Sequence, residues 1–207
     1  MSLHLEVHPK NPQPRSIARA AELLREGGVV AYPTDSCYAI GCHLGDKDAM
    51  VRLRRIRDVD ERHHFTLMCR DLSEIAAYAR VDNAQYRLLK MSTPGSYTFI
   101  LEGTRELPRR ILHPRRKTIG LRIPDHPVAL ALLEELREPL LSTTLILPGD
   151  DEPLTDGEAI RDRLDHELDA ILDAGSCGIV PTTIVDLTGR VPEIVRKGKG
   201  PLGPFLH

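Results

Sequence analysis

The chain of 207 residues has no tryptophan, three phenylalanines and five tyrosines, an aromatic share of 4%. Few rings are therefore available for stacking unpaired bases, and any RNA contact would run through shape or phosphates. The four cysteines, Cys37, Cys42, Cys69 and Cys177, form no C-x-x-C pair and no zinc spacing. At this length they point to reduced thiols in the cytoplasm rather than a disulfide framework. No apolar run approaches the ~18 residues of a membrane helix, so no membrane association is expected. Met1 to Pro14 carries polar residues and prolines where a secretory signal needs an apolar stretch. The G-x-G-x-x-G, G-x-x-x-x-G-K-[ST] and G-x-S-x-G signatures are all missing, which removes Rossmann, P-loop and nucleophile-elbow readings.

What is present is a hydrophobic share of 41%, enough for one core, and charges that nearly cancel at −2. The balance conceals a separation. Arg52 to Arg122 holds sixteen Lys/Arg against eight Asp/Glu, whereas Ile123 to His207 holds seven against sixteen. The densest cationic stretch is Arg105, Arg109, Arg110, Arg115, Arg116, Lys117 and Arg122. Individually these read as solvated surface residues; together they make a local positive field that collects anions.

Periodicity predicts a helix over Ile17, Ala20, Ala21 and Leu24, closed by Gly27-Gly28. It predicts a buried strand at Val29 to Tyr32 and a helix capped by Asp46 that holds Ala49, Met50, Leu53 and Ile56. A strand at Phe65 to Cys69 and helices at Leu72 to Ala79 and Asp82 to Met91 follow. Strands are predicted at Tyr97 to Glu102, Thr118 to Ile123 and Leu140 to Ile146, with a helix opened by Pro127 before the last of these. Glu158 to Leu168 reads as a helix, Ala170 to Asp173 as a strand, and Thr182 to Leu187 with Val191 to Arg196 as a hairpin. Interleaved strands and helices with a terminal hairpin imply one α/β domain over residues 1–207 with a mixed sheet. His63-His64 is no metal pair: adjacent residues point apart, and no third ligand stands at ligand spacing. Tyr32-Pro33-Thr34-Asp35-Ser36 reads as a turn that caps a helix or holds a small polar ligand.

Tyr32-Pro33-Thr34-Asp35-Ser36-Cys37-Tyr38-Ala39-Ile40-Gly41-Cys42 resembles the YPTDT-x-YGLG element of the YrdC/YciO family of threonylcarbamoyl-AMP synthases. Pro94 to Leu101, Gly120 to Pro127, Leu141 to Thr144, Pro181 to Leu187 and Ile194 to Gly198 match further motifs of that family in order. Thr66 to Leu72 is most similar to the YciO branch. The resemblance implies a twisted mixed sheet flanked by helices, with a basic concave face. It implies an enzyme joining threonine, bicarbonate and ATP into threonylcarbamoyl-AMP and pyrophosphate, for t6A modification of tRNA. Mg²⁺ would ride on the ATP phosphates, with no metal site and no tightly bound cofactor. Carried over by position, Thr34, Arg122, Ser142 and Thr182 would bind threonine and bicarbonate, with Arg122 gripping the carboxylate. Arg57, Thr118, Thr144 and Arg196 would bind the nucleotide. No residue is singled out as a general base, and nothing in the sequence sets an oligomeric state.

The chain departs from the family at sensitive positions. K-x-R-P reads Arg57-Asp58-Val59-Asp60, the asparagine that follows aligns with His64, a strand-end histidine is Cys69, and the S-x-N asparagine is Ile146. Hydrogen bonds to charged groups are worth roughly 1.5–3 kcal/mol each, so losing two weakens the nucleotide or its transition state by about 10²–10⁴-fold. Asp58, Asp60 and Glu61 add negative charge beside the expected phosphate path. Three readings stay open: a synthase of low activity, an RNA- or ribonucleoprotein-binding protein without efficient synthesis, and an enzyme for another carbamoyl or acyl adenylate.

Overall fold

Proline in the first turn and the buried stripe Ile17, Ala20, Ala21, Leu24 set helix α1 (Pro14–Arg25). Gly27 then takes the left-handed turn at φ +86, where a Cβ would stand 2.6 Å from the Asp46 carboxylate. The computed structural model describes residues 1–60 and 63–206. Helices α2 (Lys47–Arg57), α3 (Leu72–Tyr78), α4 (Asn83–Ser92) and α6 (Gly157–Leu164) each start on an aspartate, Asp46, Asp71, Asp82 and Asp156, whose carboxylate accepts a backbone N–H of the first turn. Pro127 opens α5 (Pro127–Leu136), with the His126 ring accepting from the Val128 N–H. No helix among the described residues is long and apolar enough to cross a membrane.

Ten strands among the described residues form one mixed sheet, ordered β1-β8-β2-β3-β7-β4-β6-β5-β9-β10. They are β1 (Leu3–Glu6), β2 (Val29–Tyr32), β3 (Ala39–His43), β4 (Thr66–Met68), β5 (Tyr97–Glu102), β6 (Thr118–Arg122), β7 (Leu140–Thr144), β8 (Ala170–Asp173), β9 (Thr183–Asp186) and β10 (Glu193–Arg196). The terminal hairpin forms as predicted, with β9 and β10 antiparallel. Two strands go beyond the sequence expectation. β1 occupies the stretch read only as polar and proline-bearing, and holds the edge by pairing parallel to β8. β3 lies inside the Tyr32 to Cys42 motif and pairs with β2 and β7. Its Gly41 permits that approach: a Cβ there would be 2.7 Å from Leu140 Cδ2.

Strand alternation divides the sheet into two faces. Leu67, Phe99, Leu121, Leu141 and Val185 point into one core, shared with Leu53 and Ile56 of α2, Ile75, Leu89 and Ile160. On the other face Val30, Tyr32, Met68, Leu140 and Ala170 pack against α1 and α5. These two helices cover only part of that face. Beyond them it continues with Thr66, Thr98, Arg122, Ser142 and Ile184, which line a cavity instead of a core.

Candidate functional site

The cavity measures about 250 Å³ and is bounded by the ends of β4, β5, β7 and β9 together with the loop from Pro33 to Tyr38. Among the described residues three guanidinium groups line it, those of Arg57, Arg122 and Arg196, and no aspartate or glutamate does. At one end sits Arg122, nearly buried. Its Nη2 is ion-paired with Asp35 Oδ1, both side chains being 10% exposed or less. The Thr34 hydroxyl lies 3.5 Å from Arg122 Nη1, and Arg122 Nε is buried without a hydrogen-bond partner. Asp35 is itself fixed: its carboxylate accepts from the Ser96 hydroxyl and from the Asp125 N–H at 3.1 Å. The guanidinium is thus aimed by a buried carboxylate and keeps donors unused by the protein.

Ser142 Oγ bonds Tyr32 OH at 2.6 Å and donates to the Ile40 carbonyl at 3.3 Å. Burial holds the Tyr32 phenol neutral by pushing its pKa up. Thr182 Oγ1 and Thr98 Oγ1 share a 2.8 Å hydrogen bond. Arg196 is clamped from the same side, donating from Nη2 to the Thr182 carbonyl at 2.9 Å. The Cys37 thiol also faces the cavity, but burial pushes it up to about 11, so it stays protonated at neutral pH and is no nucleophile.

The other end of the cavity rounds the tips of β4 and β7. Arg57, His63, His64, Thr143, Thr144 and Ile146 meet there. Arg57 Nε is buried without a partner among the described residues, and burial lowers its pKa. His63 Nε2 lies 3.3 Å from Thr143 Oγ1, and its ring stands edge-on to Phe65. His64 turns away to meet His113, with ring centroids 4.9 Å apart, so the adjacent histidines do point in different directions. At His64 the cavity opens into a groove of about 890 Å³ lined by Lys47, Arg54, Arg109, Arg110, Arg115 and Lys117.

Of the eight residues singled out in the sequence, Arg57, Arg122, Ser142, Thr144, Thr182 and Arg196 are brought together in this one cavity. Thr34 does not line it. Its hydroxyl donates to the Cys37 carbonyl at 2.6 Å and accepts from the Ser36 and Cys37 N–H groups, so it stabilises the loop and reaches the cavity through Arg122. Thr118 begins β6, four residues before Arg122, and is buried outside the lining. Among the departures, Ile146 and His64 line the cavity, whereas Cys69 is enclosed in the core and Val59 lies off the lining. Asp58 and Asp60 are likewise off the lining, and Glu61 lies outside the described residues. Sequence reasoning missed Asp35 as the anchor of Arg122, and Thr66, Thr98, His63 and Thr143 as lining. Thr66 and Thr98 carried a signal, each being the polar partner of a core residue in an alternating strand.

A mixed sheet with an arginine- and hydroxyl-lined cavity at its centre defines a class of protein, and comparison with known chains gives the family. The Sua5/YciO/YrdC family model, described as telomere recombination, matches residues 22–198. The chain belongs to this family. It is 54% identical over 206 residues to the uncharacterized protein YciO of Escherichia coli K12, covering both chains entirely, and the crystal structure of E. coli YciO superposes with a TM-score of 0.96. It is 31% identical to the threonylcarbamoyl-AMP synthase of Halorhodospira halophila, over 91% of this chain and 98% of that protein. The structure of P. abyssi Sua5 complexed with L-threonine matches with a TM-score of 0.90 at 25% identity, over 98% of this chain and 59% of Sua5.

Proposed function

We propose that this protein is a threonylcarbamoyl-AMP synthase of low activity. The observation that carries the reading is one cavity that, among the described residues, holds three guanidinium groups and no carboxylate, with polar donors at both ends. Two anions must meet there. Threonine's ammonium group first gives up a proton, and the free amine then forms an N–C bond to bicarbonate, which loses one oxygen as water, to give the carbamate. A carbamate oxygen then attacks the α-phosphorus of ATP, and the bond to pyrophosphate breaks. Arg122 holds the threonine carboxylate, while Ser142 and Thr182 orient its polar atoms, with Thr34 bracing the loop behind. Arg57, Thr144 and Arg196 hold the phosphates, neutralising charge that builds in the transition state. ATP brings Mg²⁺ on its phosphates as part of the substrate. The 31% identity to a threonylcarbamoyl-AMP synthase supports the chemistry, as does the likeness to a Sua5 complexed with L-threonine. The low rate follows from Ile146, an apolar side chain in the lining at a position that the family pattern fills with asparagine. The product feeds t6A modification of tRNA.

The cationic groove beyond His64 favours a second reading, RNA binding through phosphates. One experiment separates the two. Pyrophosphate release is followed with ATP, Mg²⁺ and bicarbonate, with and without threonine, beside an active family synthase. Threonine-dependent release, with the adenylate identified by mass, is the expected result. Release at background while the control turns over would reject the synthase and leave RNA binding.

A further inference from the structure

His63 has surroundings unlike those of any other histidine lining the cavity. Its half-buried ring stands edge-on to Phe65 and lies 3.3 Å from Thr143 Oγ1 of β7, and Arg57 and Arg54 of α2 and His64 act on it electrostatically. Among the described residues Asp60 is the acidic group that acts on it, and the His63 N–H donates to the Asp60 carbonyl at 3.2 Å. The guanidinium of Arg54 is itself drawn onto the Phe65 ring, 5.1 Å from its centroid. Two guanidiniums and a second imidazole therefore act on one imidazole, and among the described residues no aspartate or glutamate lines the cavity beside it.

Burial first, then Arg57, His64 and Arg54, holds the His63 ring below the usual histidine range, so it is neutral at physiological pH. A polyphosphate seated against Arg57 reverses that field. Its negative charges offset the guanidiniums and favour the imidazolium, whose two ring nitrogens both donate. One donates to Thr143 Oγ1 and leaves the other for a phosphate oxygen.

We propose that His63 is a phosphate-binding residue of the nucleotide end, taking one proton from solvent as the nucleotide binds and so supplying a second cation beside Arg57. The inference rests on the assignment of this end of the cavity to ATP. It goes beyond that assignment in making the affinity proton-linked. Affinity is highest below the pKa of the empty protein. It falls as pH rises, by up to about tenfold per unit, until the pKa of the bound state is passed, and is flat above.

Calorimetric titration of the full chain with MgATP, at pH 7 in buffers of different ionisation enthalpy, counts the protons taken up. The wild type is expected to take up about 0.5–1 proton per nucleotide, and to bind about three- to tenfold more weakly at pH 8 than at pH 7. His63→Gln should lose that uptake and bind weakly with a flat pH profile. His63→Lys, which carries a fixed charge, should restore affinity while keeping the profile flat. Wild-type binding without proton uptake would overturn the inference and leave the ATP assignment standing. Uptake that survives His63→Gln, or is lost only in His64→Gln, would overturn it too. Absence of MgATP binding would overturn the ATP assignment and this inference with it.

Discussion

At the scale of single residues the site depends on a buried ion pair. Asp35 and Arg122 are separated by 87 positions in the chain, yet each is almost enclosed. Removing one member leaves the other charged and without water, which costs about 3–5 kcal/mol. Asp35→Ala is therefore expected to lower unfolding free energy by that amount in urea titration at unchanged slope, and a loss under ~1 kcal/mol would show the pair contributes little. Arg122 itself was legible in the sequence because the Gly120 to Pro127 motif that holds it resembles a motif of the family. Asp35 was not, since nothing local says which distant cation a turn carboxylate will meet. Thr34 shows the opposite case. A threonine hydroxyl reads as a ligand donor in the sequence, but here the loop's own N–H groups and the Cys37 carbonyl engage it first.

At the scale of elements, the cavity is made where strands with one apolar and one polar face run past the edge of α1 and α5. That alternation was visible in β5, β6 and β7, whose predicted runs match the observed strands to within two residues. β1 was missed because four residues with two leucines carry too little pattern, and only pairing with β8 defines them. β3 was missed because its glycine and its short apolar steps look like loop until Leu140 closes on Gly41. Close packing also shapes the segment that carries Thr182 and Arg196. A Cβ on Gly198 would fall 2.3 Å from the Pro181 carbonyl oxygen and 2.4 Å from Thr182 backbone atoms. Gly198→Ala must push this segment away and displace Thr182 and Arg196. The expected cost is about 1–3 kcal/mol of stability, with MgATP affinity falling more than about tenfold. A denaturation curve and a calorimetric isotherm check both, and an unchanged pair of values would refute the role given to this contact.

At the scale of the whole molecule, the cationic segment from Arg52 to Arg122 contributes Arg57, Arg122 and both histidines to the cavity, while the acidic remainder supplies Arg196. On α2 the division is visible residue by residue. Arg52 and Arg55 are paired with Asp169 and Glu167, whereas Arg57 lines the cavity and Arg54 the groove beside it. The acidic segment thus offsets cations away from the site and leaves those in it for an anionic ligand. On the proposed function, one cavity holds the amino acid against Arg122 and the nucleotide phosphates between Arg57 and Arg196. The most direct measurement is a crystal structure of the protein with threonine, Mg²⁺ and a non-hydrolysable ATP analogue. The account predicts the threonine carboxylate on Arg122 and the phosphates between Arg57 and Arg196. Either ligand bound elsewhere, or an empty cavity at saturating concentrations of both, would contradict it.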